Sequence, residues 1–323
     1  MRVLSGIQPS GDALHIGNYF GALRQFRALQ EEHEMLLFIA DYHSMNSVRD
    51  GAARREFTRS VALDYLACGI DASRAMLFRQ SDMPEVTELA WLLSSVTPMG
   101  LLERGHAYKD KVAQGQSADH GLFAYPVLQA ADILLYHSDL VPVGQDQKQH
   151  IEMARDIAQR FNHVYGEELL VLPEPYIPEE VAVVPGTDGR KMSKSYGNTI
   201  AMFAAPSQVK KAVMGIVTDS TPVEDPKDPT GPLFQLWALF AEEGEREEMF
   251  ARARKGGLGY GELKKDLFGR LSERFEPMRE RRAALAGRPD EVEDVLADGV
   301  ARARAIARPV LEACREAAGL GPA

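Results

Sequence analysis

Cysteine is almost missing from this chain: Cys68 and Cys314 stand far apart and form neither a CxxC pair nor a metal-ligand spacing. That excludes a disulfide framework and fits a reducing compartment. The eight histidines are scattered, with no HExxH and no paired Cys/His pattern, so no protein-held metal is expected. No apolar run reaches membrane-spanning length, and no leader of charged then apolar residues opens the sequence. A cytoplasmic protein without membrane contact is expected. A general surplus of basic residues is missing too, since the net charge is −10. Broad nucleic-acid contact is disfavoured on that ground. The distribution is uneven, however: from Arg246 to Arg315 there are 16 basic and 13 acidic residues. Contact with a nucleic acid is expected in that part if anywhere, although solvated helix faces explain so small an excess equally well.

What is present is enough apolar material for a sizeable core, 45% of 323 residues, and a length that suggests about two domains. The first half alternates short apolar runs with amphipathic helical stretches, which predicts an α/β unit with a parallel sheet. Strands are expected over 2–7, 35–40, 75–78 and 140–143. The run ending at Ala40 leads into Asp41-Tyr42-His43, where the carboxyl ends of parallel strands bind ligands. After about residue 200 strand-like runs cease. A loop rich in Pro, Asp and Thr (217–232) precedes helical stretches broken by Gly256-Gly257 and Gly287-Arg288-Pro289, so the second domain is expected to be all-helical. Trp91 and Trp237 are read as packing residues, and Tyr260 is given no chemistry.

Two elements suit phosphate chemistry. Lys191-Met192-Ser193-Lys194-Ser195 comes after a turn-forming run, Pro185-Gly186-Thr187-Asp188-Gly189-Arg190. Its two ammonium groups are compact charges on flexible stems, able to follow oxygens on a departing phosphate. The second element, His15-Ile16-Gly17-Asn18, lies between a strand and a helix start, where backbone N–H groups face a bound anion. Gly17 would allow a flat ligand close to the backbone. An ordinary loop with Asn18 as helix N-cap fits that second element as well.

A third stretch, 121–136, reads as a helix. Tyr125, Gln129, Asp132 and Tyr136 stand at i, i+4, i+7 and i+11, on one face. Asp132 interrupts an apolar run, so its carboxylate must be partly buried and needs a donor. An indole N–H, donor only, would suit it, and so would an internal partner.

Taken together, the His-Ile-Gly-Asn loop and the Lys-Met-Ser-Lys-Ser loop resemble the paired signatures of class I aminoacyl-tRNA synthetases. Stretches 6–11, 121–150, 188–195, 218–220 and 259–261 are similar to the bacterial tryptophanyl branch of that class. The resemblance implies a Rossmann-like catalytic domain over 1–198 and a helical anticodon-binding domain over 199–323, whose last helix (292–318) returns to the catalytic domain. It implies that Asp132 accepts the indole N–H of L-tryptophan, with Gln129, His43, Val141 and Val143 around the ring. Tyr125 and Gln147 would hold the substrate ammonium and Gln8 its carboxylate. ATP would meet Gln8, Ser10, His15, Gly17, Asn18, Gly144, Asp146, Gln147, Met192 and Ser195. Lys111, Lys191 and Lys194 would grip pyrophosphate with Mg²⁺ carried by ATP, and His15 would assist them. Partners implied are tRNA(Trp) and a second copy of the chain in a homodimer.

Two positions depart from the family pattern. Gln129 stands where methionine is common, and Leu4 where some relatives carry an aromatic residue. Three other readings compete: a tyrosyl enzyme with the same fold, a nucleotidyltransferase that adenylates a small acid without tRNA, and a non-catalytic tryptophan sensor. A tyrosyl enzyme must satisfy a hydroxyl that both donates and accepts. The helical C-terminal third counts against the second, and the paired lysines against the third.

Overall fold

The computed structural model describes residues 1–11, 14–105, 108–109, 119–144, 147–166, 168–177 and 184–321. Lys111 and Asp146 lie outside the described residues.

Five parallel strands form one sheet in the order β3-β2-β1-β4-β5. They are β1 (Arg2–Ile7), β2 (Glu34–Ile39), β3 (Ala75–Arg79), β4 (Leu140–Pro142) and β5 (Glu174–Tyr176). In β1 and β2 every residue is paired, from Arg2 opposite Glu34 to Ile7 opposite Ile39. The interiors of β2 and β3 are continuously apolar because both faces are covered. Alternation divides them between two cores. Val3, Met35, Leu37, Ile39, Ala75 and Leu77 pack on one face, and Leu4, Leu36, Phe38, Met76 and Phe78 on the other. The sequence reading missed β5, because Glu174-Pro175-Tyr176 has no apolar run and carries a proline.

The helices are, in chain order, α1 (Ile16–Asn18), α2 (Arg24–Leu29), α3 (Asp41–Ser44), α4 (Gly51–Ala67), α5 (Glu85–Ser94), α6 (Met99–Leu102) and α7 (His120–Leu134). They continue with α8 (Lys148–Tyr165), α9 (Pro206–Met214), α10 (Pro232–Ala238), α11 (Glu243–Lys255), α12 (Tyr260–Ala286) and α13 (Pro289–Ala317). A wider π turn, Tyr19–Leu23, joins α1 to α2. Among the described residues every named element beyond 200 is a helix.

The last helix runs across the outer edge of β3. Val292 and Leu296 join the first core, whereas Val300, Ala303, Ala307 and Leu311 join the second. The crossing point is Gly299: a Cβ there would stand 2.0 Å from the Leu77 carbonyl oxygen. The glycine thus lets α13 lie directly on the edge strand and cover it. Charged pairs fasten the helix further along, with Arg304 Nε donating to Glu85 Oε1 at 2.6 Å.

Trp237 is buried, and its indole donates to Asp266 at 2.5 Å. Trp91 is not a packing residue: it is 77% exposed on α5. The helix gives Val86, Leu89, Leu92 and Leu93 to the core, and Trp91 falls outside that stripe.

Candidate active site

In this strand order β1 and β4 are neighbours at the point where the chain reverses its direction of travel across the sheet. Ligands bind beyond the carboxyl ends at such a switch point. A cavity of about 620 Å³ lies there. Its wall contains Gly6 from β1, Phe38 and Ala40 at the end of β2, and Val141, Pro142 and Val143 at the end of β4. The residues expected around the amino acid, Gln8, His43, Tyr125, Gln129, Asp132, Val141, Val143 and Gln147, all line this one space, and so does Gly144, expected at the nucleotide. Leu4 lines it too. Tyr136 does not: it lies just past the end of α7, is 1% exposed, and packs against Phe78 with ring centroids 5.6 Å apart.

Asp132 is 1% exposed. Its carboxylate meets His43 Nε2 at 2.8 Å. Gln80 Nε2 donates to both of its oxygens, at 2.8 and 2.9 Å. The amide of Gln80 cannot flip, because its Oε1 accepts the Tyr42 backbone N–H at 3.0 Å. Burial raises the carboxyl above its ordinary value, while the bonds from His43 and Gln80 pull it back. Both open readings of Asp132 therefore apply: it has internal partners and it also faces the cavity. Gln80 escaped the sequence reading. It directly succeeds the carboxyl end of β3, and that location was the available signal.

Around the mouth, Tyr125 Oη and His150 Nε2 lie 2.6 Å apart. Gln8 Nε2 donates to Ser47 Oγ at 3.1 Å. Burial raises the Tyr125 hydroxyl's pKa.

The His15 loop is laced to the segment that follows the lysine loop. Ile16 N–H donates to the Ile200 carbonyl at 3.0 Å and Met202 N–H to the Leu14 carbonyl at 3.2 Å, with His15 opposite Ala201. His15, not Asn18, is the N-cap of α1. Asn18 instead accepts the His15 N–H at 3.0 Å through its Oδ1. This satisfies a donor that a helix start leaves open. A Cβ on Gly17 would come within 2.9 Å of His15 Nδ1 and 3.4 Å of Met192 Cβ. The His15 ring is buried; burial, and then the nearby Lys194 charge, lowers its pKa to about 4. His15 is therefore neutral at pH 7. Its Nδ1 is a buried polar atom with no hydrogen-bond partner among the described residues.

The lysine loop leaves a tight turn: Gly186 N–H donates to the Arg190 carbonyl at 2.6 Å, and Gly189 takes a positive φ of 86°. Asn198, 2% exposed, holds the lysine segment from behind. It accepts Ser193 N–H at 2.8 Å and donates to Asp188 Oδ1 at 2.7 Å and to the Lys191 carbonyl at 3.2 Å. A side chain on Gly186 would occupy the same space, its Cβ only 2.1 Å from Asn198 Nδ2. Met192 turns into the core, 5% exposed, while Lys191, Lys194 and Ser195 are exposed. Ser193 and Ser195 hydroxyls lie 2.8 Å apart. Ser10 is also exposed, on the loop after β1. Asn198 was likewise not anticipated from sequence.

The parallel sheet, with a buried acceptor in a cavity at its switch point, has the Rossmann-like fold of the class I aminoacyl-tRNA synthetases. The family described as tRNA synthetases class I (W and Y) matches residues 1–276, and the chain belongs to it. Its relatives at about 50% identity include bacterial tryptophan–tRNA ligases. The one from Rhodopirellula baltica is 55% identical over 321 residues, covering 99% of this chain and 100% of the relative. The one from Fusobacterium nucleatum is 53% identical over 319 residues, covering 99% and 98%. A crystal structure of tryptophanyl-tRNA synthetase from Campylobacter jejuni, complexed with ADP and tryptophan, superposes with a TM-score of 0.91 at 50% identity, covering 99% of this chain and 100% of that one. The resemblance to bacterial tryptophanyl-tRNA synthetases read from the sequence stands.

Proposed function

We propose that the chain activates L-tryptophan with ATP to tryptophanyl-adenylate and pyrophosphate, then transfers the amino acid to the 3′ end of tRNA(Trp). The observation that carries this reading is Asp132, a buried carboxylate facing a cavity large enough for an indole. A carboxylate has about four lone-pair sites. His43 and Gln80 make three contacts with it, which leaves acceptor capacity for a donor-only ring nitrogen. Gln129, Val141 and Val143 would flank the ring. Tyr125, Gln147 and Gln8 would orient the ammonium and carboxylate. The neutral Nδ1 of His15, without a hydrogen-bond partner among the described residues, suits a nucleotide contact, beside Gly17, Asn18 and Ser10. Gly144 and Asp146 would take the ribose.

Neither step requires a protein nucleophile. The substrate carboxylate attacks the α-phosphorus in line, and a terminal tRNA hydroxyl then attacks the activated carbonyl as AMP leaves. Positioning and charge stabilisation supply the acceleration. Lys111, Lys191 and Lys194 would meet the negative charge that gathers on pyrophosphate, with Met192 and Ser195 shaping the loop around them. Among the described residues no group of three His, Cys, Asp or Glu side chains could hold a metal ion. The donors here are lysines and serines, so Mg²⁺ would be held by phosphate oxygens and water. Residues 199–323 would form the domain that contacts the tRNA anticodon. A cytoplasmic homodimer is part of the same reading.

ATP–pyrophosphate exchange with tryptophan, tyrosine and phenylalanine tests the first step, and charging of tRNA(Trp) tests the second. Exchange with tryptophan alone is expected. Exchange driven by tyrosine in preference to tryptophan would overturn the assignment.

A further inference from the structure

Neither step of the reaction uses one buried carboxylate that reaches the nucleotide loop. Asp64 sits in the last turn of α4 with its side chain 0% exposed. Its Oδ2 accepts the backbone N–H of Leu14, the residue before His15, at 3.1 Å. Its Oδ1 accepts Arg282 Nε–H at 2.5 Å, and Arg282 Nη2 also donates to Ser60 Oγ at 2.7 Å. Arg282 belongs to α12, 218 positions away in the chain.

The same arginine grips the partner loop. Its guanidinium carbon lies 5.1 Å from the centroid of the Phe203 ring. Arg279, one turn earlier on α12, donates to the Met202 carbonyl at 3.3 Å. Residues 14–16 and 200–202 are the two segments laced together beneath the signature motifs. One face of α12 thus reaches both of them. Lys194 also acts electrostatically on Asp64, so this carboxylate lies within reach of the phosphate-side charge.

We propose that Arg282 and Asp64 are positioning residues for adenylate formation, through which α12 sets the place of the His15 loop relative to the lysine loop. A carboxylate with no exposed surface needs its cation. Without Arg282 it must take up a proton or move toward water, and either change weakens its hold on Leu14 N–H. Small displacements of positioned groups cost reactions heavily, roughly a hundredfold for 1 Å. The cavity around Asp132 has no contact with this pair among its lining residues. The effect is therefore selective for ATP.

This inference rests on the adenylation reading, and the experiment separates the two. Full-length wild type and Arg282→Met are compared in ATP–pyrophosphate exchange, with tryptophan affinity measured separately by equilibrium dialysis. Arg282→Met should lower kcat/KM for ATP by about 10- to 100-fold while tryptophan Kd stays within about twofold of wild type. Unchanged ATP parameters beside a lowered melting temperature would show that the pair only glues helices, and would overturn the proposal alone. Equal loss of ATP and tryptophan affinity would do the same. Wild type that supports no exchange with any amino acid would overturn the functional reading and this proposal with it. Should Arg282→Met fail to fold, Arg282→Lys reads the same quantity. Lysine keeps the charge but lacks the fork that spans Asp64 and Ser60, so a smaller ATP defect of the same sign is expected. ATP parameters equal to wild type in that variant overturn the proposal.

Discussion

The cavity around Asp132 and the lysine loop hold their polar groups in opposite ways. Around Asp132 the polar atoms are buried and bonded to one another, on α7, on the turn after β3 and on α3. Around Lys191 and Lys194 the charges are exposed, and order comes from the backbone: a tight turn, a lacing of two segments, and Asn198 behind them. Recognition of one ring among several similar ones needs fixed, desolvated acceptors, because unpaired buried groups penalise the wrong ligand. Pyrophosphate grip needs charges that can follow a moving group. The contrast predicts that damage on one side should leave the other nearly intact.

Lys194→Ala should break the comparison most visibly. In the role proposed for Lys194, loss of a charge that meets a departing phosphate is worth about 2.7–4 kcal/mol, or roughly 10²–10³ in the rate of adenylate formation. Tryptophan binding should not change. Pre-steady-state adenylate formation and equilibrium dialysis measure the two quantities, and parallel losses in both would refute the division.

Gln80→Leu attacks the opposite side. It removes the donor shared by both Asp132 oxygens and one of the two acceptors of the Tyr42 N–H, which keeps Asp41 Oδ1 at 3.1 Å. A hydrogen bond to a charged group is worth about 1.5–3 kcal/mol. Tryptophan Kd should rise accordingly, while the ATP KM measured at saturating tryptophan stays near wild type. A Kd that does not move would mean that His43 alone positions Asp132.

How much of this contrast was legible in the sequence depends on how local each feature is. β2 and β3 were readable because a strand covered on both faces is a continuous apolar run. The lysine loop was readable because its function lies in consecutive residues. Tyr125, Gln129 and Asp132 share a face by helical periodicity, yet the same rule carried Tyr136 along. The helix stops at Leu134, so the periodicity no longer applied there. Gln80 and Asp64 were hidden for a different reason. Their partners are 52 and 218 positions away, so only the folded sheet and the docked α12 bring them together. Gly299 is of the same kind, since nothing beside it in sequence shows that Leu77 lies against it.

A pH experiment sharpens the phosphate side. His15 titrates near 6.5 when unfolded and near 4 when folded, because burial and Lys194 disfavour the imidazolium. The unfolded chain therefore binds the proton first as pH falls. The stability tied to neutral His15 is complete above about pH 6.5 and is lost as pH drops toward 4. By pH 5 the loss should reach at most about 2 kcal/mol. Urea midpoints of wild type and His15→Gln at pH 7 and pH 5 measure it, with a shallower decline expected in the variant. Identical slopes would show that the ring gains solvent or a partner as it charges.

The smallest effect should come from Asn198→Ala. The lost side chain holds Ser193 N–H, the Lys191 carbonyl and Asp188 in one place. These groups lie near the surface, so water can replace most of what is removed, and the stability cost should be about 1 kcal/mol. The functional cost falls on the ATP side alone, because a loop that wanders brings Lys191 and Lys194 to the phosphates less often. The ATP KM should rise severalfold and tryptophan Kd should stay put. Gly186→Ala offers an independent route to the same state, since its new Cβ would push into the space of Asn198. If both variants bind and react with ATP as wild type does, the exposed loop owes its geometry to the bound nucleotide. The preformed order seen behind it would then have no kinetic role.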